Sequence, residues 1–127
     1  MKRRSNQLRR EQSTEAVLRS ALELFVHQGY AGTSITGIAA RAGLTKGSVY
    51  HYFKDKLTLL IALLDRSEST LFEPAFIQIR TADTDPRSQL IMFVNWVARA
   101  GAENKELMLL PLLVSLEFFG FGNQAEK

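Results

Sequence analysis

Cysteine is absent from this chain of 127 residues, and proline occurs only three times. Without thiols there is no disulfide framework and no thiolate zinc site, which suits a reducing compartment. Imidazoles are scarce as well. His27 and His51 are the only two, and no carboxylate cluster lies near either, so neither a metal centre nor a general base is expected. Long apolar runs are also missing. The most apolar stretch, Leu107 to Phe121, contains Pro111 and Glu117 and falls short of the ~20 residues that a membrane-spanning helix needs. The basic start, Met1 to Arg10, is followed by no early apolar segment, so it does not read as a secretory signal, and a cytoplasmic protein without membrane contact is expected.

Apolar residues at 46% and charged residues at 23% give a globular composition, long enough to bury a core in one domain or in two small units. The net charge of +3 hides an asymmetry. Through Lys56 there are ten Lys or Arg against Glu11, Glu15, Glu23 and Asp55, a net of +6, so the remainder carries −3. A basic first half joined to a mildly acidic second half points to a polyanion meeting the first half only, although an ordinary solvated basic face has the same charge.

Taken in order, Met1 to Arg10 is polar with five positive charges and nothing to bury. It reads as a loose basic arm that could follow phosphates, enter a minor groove or simply solubilise. From about Glu11 to Gln28, Val17, Ala21, Leu24 and Phe25 recur at helical spacing, and Gly29 supplies the stop. A second helix follows Ser34 as cap, with Ile35, Ile38, Ala39 and Ala42 inward; Gly37 weakens it by roughly 1 kcal/mol against alanine. After Gly43 and Leu44, Thr45 caps a third helix in which Val49 and Phe53 face the core, leaving Lys46, Gly47, Ser48, Tyr50 and His51 on or near the open side.

A fourth helix is expected over about Lys56 to Glu73, with Leu57, Leu60, Ile61 and Leu64 as its stripe, widened by Leu59 and Leu63, and Pro74 as its end. Ala75 to Arg80 offers a stub of helix. Asp85 and Pro86 read as cap and first turn of a helix carrying Leu90, Phe93, Val94 and Val97 and stopping at Gly101. A last helix, about Lys105 to Phe121, is apolar around most of its circumference and needs cover. The expected fold class is all-α, with residues 1–56, basic arm included, as a helix-turn-helix DNA-binding domain and residues 57–127 as a second helical domain.

Two catalytic patterns fail on their surroundings. Tyr50-x-x-x-Lys54 has the spacing that lowers a tyrosine pKa in short-chain dehydrogenases, yet no glycine-rich strand-to-helix turn accompanies it. Gly43 to Ser48 lacks the Gly-Lys-Ser/Thr order of a phosphate loop. No enzyme and no cofactor are expected. The stretch Thr33 to Phe53 instead has the layout of a helix-turn-helix: short hydroxyl donors at Thr45 and Ser48, a lysine at Lys46, a glycine at Gly47 that lets the backbone approach DNA, and Tyr50 able to pack on a thymine methyl. His51 and Tyr52 can donate to phosphates, with Tyr52 equally readable as a half-buried aromatic, and Lys56 adds positive charge.

The run Phe25-x-x-x-Gly29-Tyr30-x-x-Thr33-Ser34-Ile35-x-x-Ile38-Ala39-x-x-Ala42-Gly43-Leu44-x-Lys46-Gly47-Ser48-Val49-Tyr50-His51-Tyr52-Phe53-x-x-Lys56 resembles the DNA-binding domain of the tetracycline-repressor-like (TetR) family of bacterial regulators. The resemblance covers roughly Ser13 to Leu64. It implies three DNA-binding helices, a linking fourth helix and a C-terminal domain that dimerises and takes a small apolar or amphipathic inducer. It also implies a repressor released by that inducer from a palindromic operator in double-stranded DNA, bound as a homodimer. Lys46, Gly47 and Tyr50 would then approach bases, while Thr33, Thr45, Ser48, His51, Tyr52 and Lys56 would hold phosphates. Family members usually continue for several more helices, so the chain reads as a short or truncated member. The apolar flank Leu107 to Phe119 is then either an alternative dimer surface or, the preferred reading, the scar of absent helices. An interaction module that captures a partner through its apolar last helix is the competing reading.

Overall fold

A computed structural model describes residues 2–120, and every described element is helical. In chain order these are α1 (Lys2–Gln28), α2 (Ile35–Ala42), α3 (Lys46–Tyr52), α4 (Lys56–Ser67), a π-turn (Glu68–Phe72), α5 (Glu73–Thr81), α6 (Pro86–Glu103) and α7 (Lys105–Phe118). The chain divides into two compact units between Ala62 and Leu63, inside α4.

In the first unit α1 packs on α2 and α2 on α3. Val17, Ala21, Phe25, Ile38 and Val49 are almost completely buried and form its core. The chain can turn sharply after α1 because Gly29 takes a φ of 79°, a left-handed conformation that costs a glycine nothing. Ahead of Glu11, where a loose arm is expected, the chain is helical from Lys2 onward. Residues 2–16 contain neither glycine nor proline, and Lys, Arg, Gln, Leu and Glu are good helix formers. Gln7 donates to Glu11 one turn on at 3.3 Å, and the already folded Val17–Gln28 segment nucleates the extension. Every side chain from Lys2 to Gln12 is nevertheless exposed.

Within α4 the buried residues are Leu59, Leu60, Leu63 and Ser67, while Leu57 and Ile61 are about half exposed. The expected stripe is therefore rotated. Leucines on every side of a helix leave its phase undetermined until packing selects one.

In the second unit α5 packs on α6 and α6 on α7, around Leu71, Ala75, Ala100, Leu107 and Leu110. Pro74 does not end the helix, as expected from its missing N–H. The chain passes through the π-turn, where Glu73 donates to Glu68 five residues back, and Pro74 falls in the first turn of α5. Trp96 of α6 donates its indole N–H to the Leu71 carbonyl in that π-turn at 2.8 Å, and Phe76 stacks on Phe93 with centroids 5.8 Å apart.

Asp85 caps α6 as expected, accepting from the Ser88 amide at 3.0 Å. Gly101 does not stop this helix, which runs on to Glu103. Pro111 lies inside α7, where it cannot donate to Leu107; the fully buried Ser67 hydroxyl donates to the Leu107 carbonyl instead, at 2.8 Å. Phe121, the expected end of the last helix, lies outside the described residues.

Candidate nucleic-acid interface

The connection between α2 and α3 is built from three local devices. Ser34 accepts from the Gly37 amide at 3.0 Å and so caps α2. At the other end Gly43 has a φ of 70°, with Leu44 donating to Ala39 at 2.9 Å and Gly43 donating to Ala40 at 3.2 Å, a Schellman arrangement that reverses the chain in two residues. Thr45 then accepts from the Ser48 amide at 3.1 Å and caps α3. Its hydroxyl also lies 2.8 Å from that of Ser48, so one proton joins the pair and the other remains for an outside acceptor.

Arg41 fixes α2 against α1. Its Nε and Nη2 both approach Glu23 Oε2 at 2.6 Å. With Thr33 at the entry to α2 bonded to Gly29 and Arg41 in its last turn paired with Glu23, α2 runs back along α1.

Helix α3 is anchored by Val49, which is completely buried, and by the half-buried Phe53 that ends it. Lys46, Gly47, Tyr50 and His51 are exposed, Thr45 ahead of them is exposed, and Ser48 and Tyr52 are half-buried. Tyr50 keeps 47% of its surface in solvent, and the Lys46 ammonium lies 5.9 Å from its centroid. A Cβ on Gly47 would meet only Thr45 Oγ1, at 4.0 Å, so the outer backbone of α3 stands open. His51 and Tyr52 meet edge to face at 5.3 Å.

Two expected phosphate holders have hydrogen-bond partners within the chain. The Thr33 side chain is buried, and its hydroxyl donates to the Gly29 carbonyl at 2.7 Å, closing the turn after α1. The Lys56 ammonium donates to the carbonyls of Tyr30 at 2.8 Å and Thr33 at 3.1 Å and lies 4.2 Å from the Tyr30 centroid. Asp55 sets up that position by capping α4, accepting from the Thr58 hydroxyl at 2.7 Å and amide at 2.8 Å. Those two bonds, the hydroxyl's first, hold the Asp55 carboxyl below the usual carboxylate range. Both residues thereby brace the turn that leads into α2.

The sequence reading did not single out Thr36 and Arg41, polar side chains on the exposed side of α2. A readable signal was present, because no acidic residue occurs between Glu23 and Asp55, a span that includes all of α2 and α3. A span with cations and hydroxyls and no carboxylate of its own suits a polyanion, with Glu23 of α1 paired to Arg41 at its margin. No cluster that could hold a metal ion occurs among the described residues. In the second unit, an open groove of about 490 Å³ is bounded by Glu68, Phe72, Glu73, Phe76 and Arg80. No helix among the described residues is long and apolar enough to cross a membrane.

The sequence profile described as "Bacterial regulatory proteins, tetR family" matches residues 17–63. Over 88 residues the chain is 38% identical to the HTH-type transcriptional activator FasR of Mycolicibacterium smegmatis, covering 69% of this chain and 40% of that protein. It is 31% identical over 112 residues to the HTH-type transcriptional regulator AcrR of Shigella flexneri, covering 87% and 52%. Among solved structures, the MbdR regulator from Azoarcus sp. CIB superposes with a TM-score of 0.75 at 40% identity, over 84% of this chain and 55% of that one. The chain thus spans about half the length of these proteins. With the helix-turn-helix inside the matched residues, the segment 17–63 belongs to the tetR family of bacterial regulatory proteins.

Proposed function

We propose that this chain is a sequence-specific DNA-binding transcriptional regulator of the bacterial cytoplasm that places α3 in the major groove of a palindromic operator. The observation that carries the reading is the exposed Lys46–Gly47–Tyr50 face, with the half-buried Ser48 beside it, on a helix whose opposite side is locked by Val49, in a span free of carboxylates. Lys46, Gly47 and Tyr50 approach base edges; Thr45, Ser48, His51 and Tyr52 hold phosphates. Thr33 and Lys56 act indirectly by holding the turn that carries α2.

Two copies are needed to occupy two half-sites one helical turn apart, so the working form is a homodimer. By the family resemblance the regulator represses, and a small apolar or amphipathic inducer taken up by the C-terminal unit releases it. FasR is described as an activator, so the sign of regulation is read from a promoter fusion. The likeness to regulators favours this reading over an interaction module without regulation.

The test is an electrophoretic mobility shift with duplexes from the chain's own promoter region at two salt concentrations. Preferential retardation of one duplex over scrambled sequence supports the reading. Equal, weak retardation of all duplexes overturns it.

A further inference from the structure

Helix α1 changes character along a single face. From Val17 onward, Val17, Ser20, Ala21 and Leu24 form a buried stripe at helical spacing. The same stripe continued toward the N-terminus is Lys2, Arg3, Asn6, Arg9, Arg10 and Ser13, since Arg10 stands seven residues before Val17 and Arg3 seven before Arg10. This upstream part is exposed at every charged position and contains no acid. Arg4, Glu11, Glu15 and Arg19 lie on the opposite side, where the charges are mixed. The face that is buried downstream is therefore purely cationic upstream.

The Arg41–Glu23 ion pair fixes α2 against α1 at the level of Glu23. At 1.5 Å per residue, Arg10 lies about 20 Å and Arg3 about 30 Å further along the α1 axis than Glu23. That reach is comparable to one turn of duplex, roughly 34 Å. A helix of this length without tertiary contacts holds its cations in register but is only marginally stable by itself, and neutralising phosphates would stabilise it.

We propose that the Lys2, Arg3, Arg9 and Arg10 stripe of α1 is a second DNA contact surface, which grips phosphates flanking the segment read by α3 and lengthens the bound site without adding sequence preference. The proposal rests on the DNA-binding reading above. Its chemistry is that of non-specific backbone contact, with arginines favoured for bidentate phosphate recognition.

The test is a fluorescence anisotropy titration of labelled duplex over a salt series, using the full chain, a variant with Lys2, Arg3, Arg9 and Arg10 all changed to Gln, and the single variants Arg10→Gln and Arg4→Gln. Circular dichroism reports whether each variant keeps its fold, which the exposure of all five side chains favours. The quadruple variant is expected to flatten the slope of log affinity against log salt by about three to four, and Arg10→Gln by about one, with preference between duplexes unchanged. Arg4→Gln on the mixed-charge side is expected to leave the slope almost unaltered. Hydroxyl-radical footprints should lose their outer protections in the quadruple variant only. An unchanged slope and footprint in the quadruple variant, or an effect of Arg4→Gln equal to that of Arg10→Gln, overturns the stripe while leaving the α3 reading intact. Absence of any preferred duplex for the unaltered chain overturns both.

Discussion

The Lys56 ammonium sits 2.8 Å from the carbonyl oxygen of Tyr30, joining the start of α4 to the turn after α1 across 26 positions of chain. With its second bond to Thr33, it makes the entry to α2 depend on a cation in the next helix but one. Lys56→Ala leaves two carbonyls without their charged donor and is expected to lower stability by about 1.5–3 kcal/mol. In urea denaturation the midpoint should fall, while the salt slope of DNA binding by the folded fraction stays put. Unchanged stability with a slope flatter by about one would return Lys56 to the phosphates.

Gly32 and Gly47 are expected to respond oppositely to alanine. A Cβ at Gly32 would lie 2.4 Å from the Gln28 carbonyl oxygen, which belongs to the backbone of α1 and cannot move aside. Gly32→Ala should therefore lower the melting temperature. At Gly47 there is free space, and helix propensity alone predicts a gain of up to about 1 kcal/mol. Gly47→Ala should melt higher yet bind DNA less well, because the added methyl stands where the backbone is to approach the duplex. Full DNA binding by this variant would remove Gly47 from the contact surface.

Ser67 and Pro111 form a compensating pair in the second unit. Proline denies the Leu107 carbonyl its ordinary partner, and the Ser67 hydroxyl replaces that partner at 2.8 Å in a buried position. Ser67→Ala is expected to cost about 1–3 kcal/mol, and clearly less in a Pro111→Ala background where residue 111 regains its N–H. A double-mutant cycle measured by thermal unfolding reads the coupling. Strict additivity would contradict the pairing.

Asp85 accepts from both the hydroxyl and the amide of Ser88, the hydroxyl at 2.7 Å, and these bonds hold its carboxyl below the ordinary value of 3.8. The sign follows from linkage: a depressed folded value means that the cap stabilises α6 fully above pH 3.8 and loses that effect as the pH falls through the lower folded value. Carbon-13 NMR of the carboxyl should give a midpoint below 3.8 that rises toward the ordinary value in Ser88→Ala, which keeps the amide bond. A midpoint at or above 3.8 in the unaltered chain would contradict the bonded cap.

The helix-turn-helix was legible because its information is local. Ser34, Thr45, Asp85 and the Gly43 turn act on atoms within five residues, and Val49 needs only a place on one helix face. What escaped the sequence depends on distant partners. The role of Lys56 is set by carbonyls more than 20 positions away, that of Ser67 by a proline in another helix, and the phase of α4 by a choice among leucines that the pattern leaves equal. Residues 2–10 were misjudged for a different reason. They bury nothing, so burial patterns are silent there, and continuation of an already nucleated helix decides their conformation.

The measurement that tests the account most directly is a pair of anisotropy titrations, with the unaltered chain and with Tyr50→Ala, on a duplex selected from the chain's own promoter region and on a scrambled duplex of equal length. The account predicts that Tyr50→Ala folds normally, since the ring is 47% exposed, and binds the scrambled duplex as before while losing roughly tenfold or more on the selected one. Equal losses on both duplexes, or no preference by the unaltered chain, would contradict the placement of α3 against the bases.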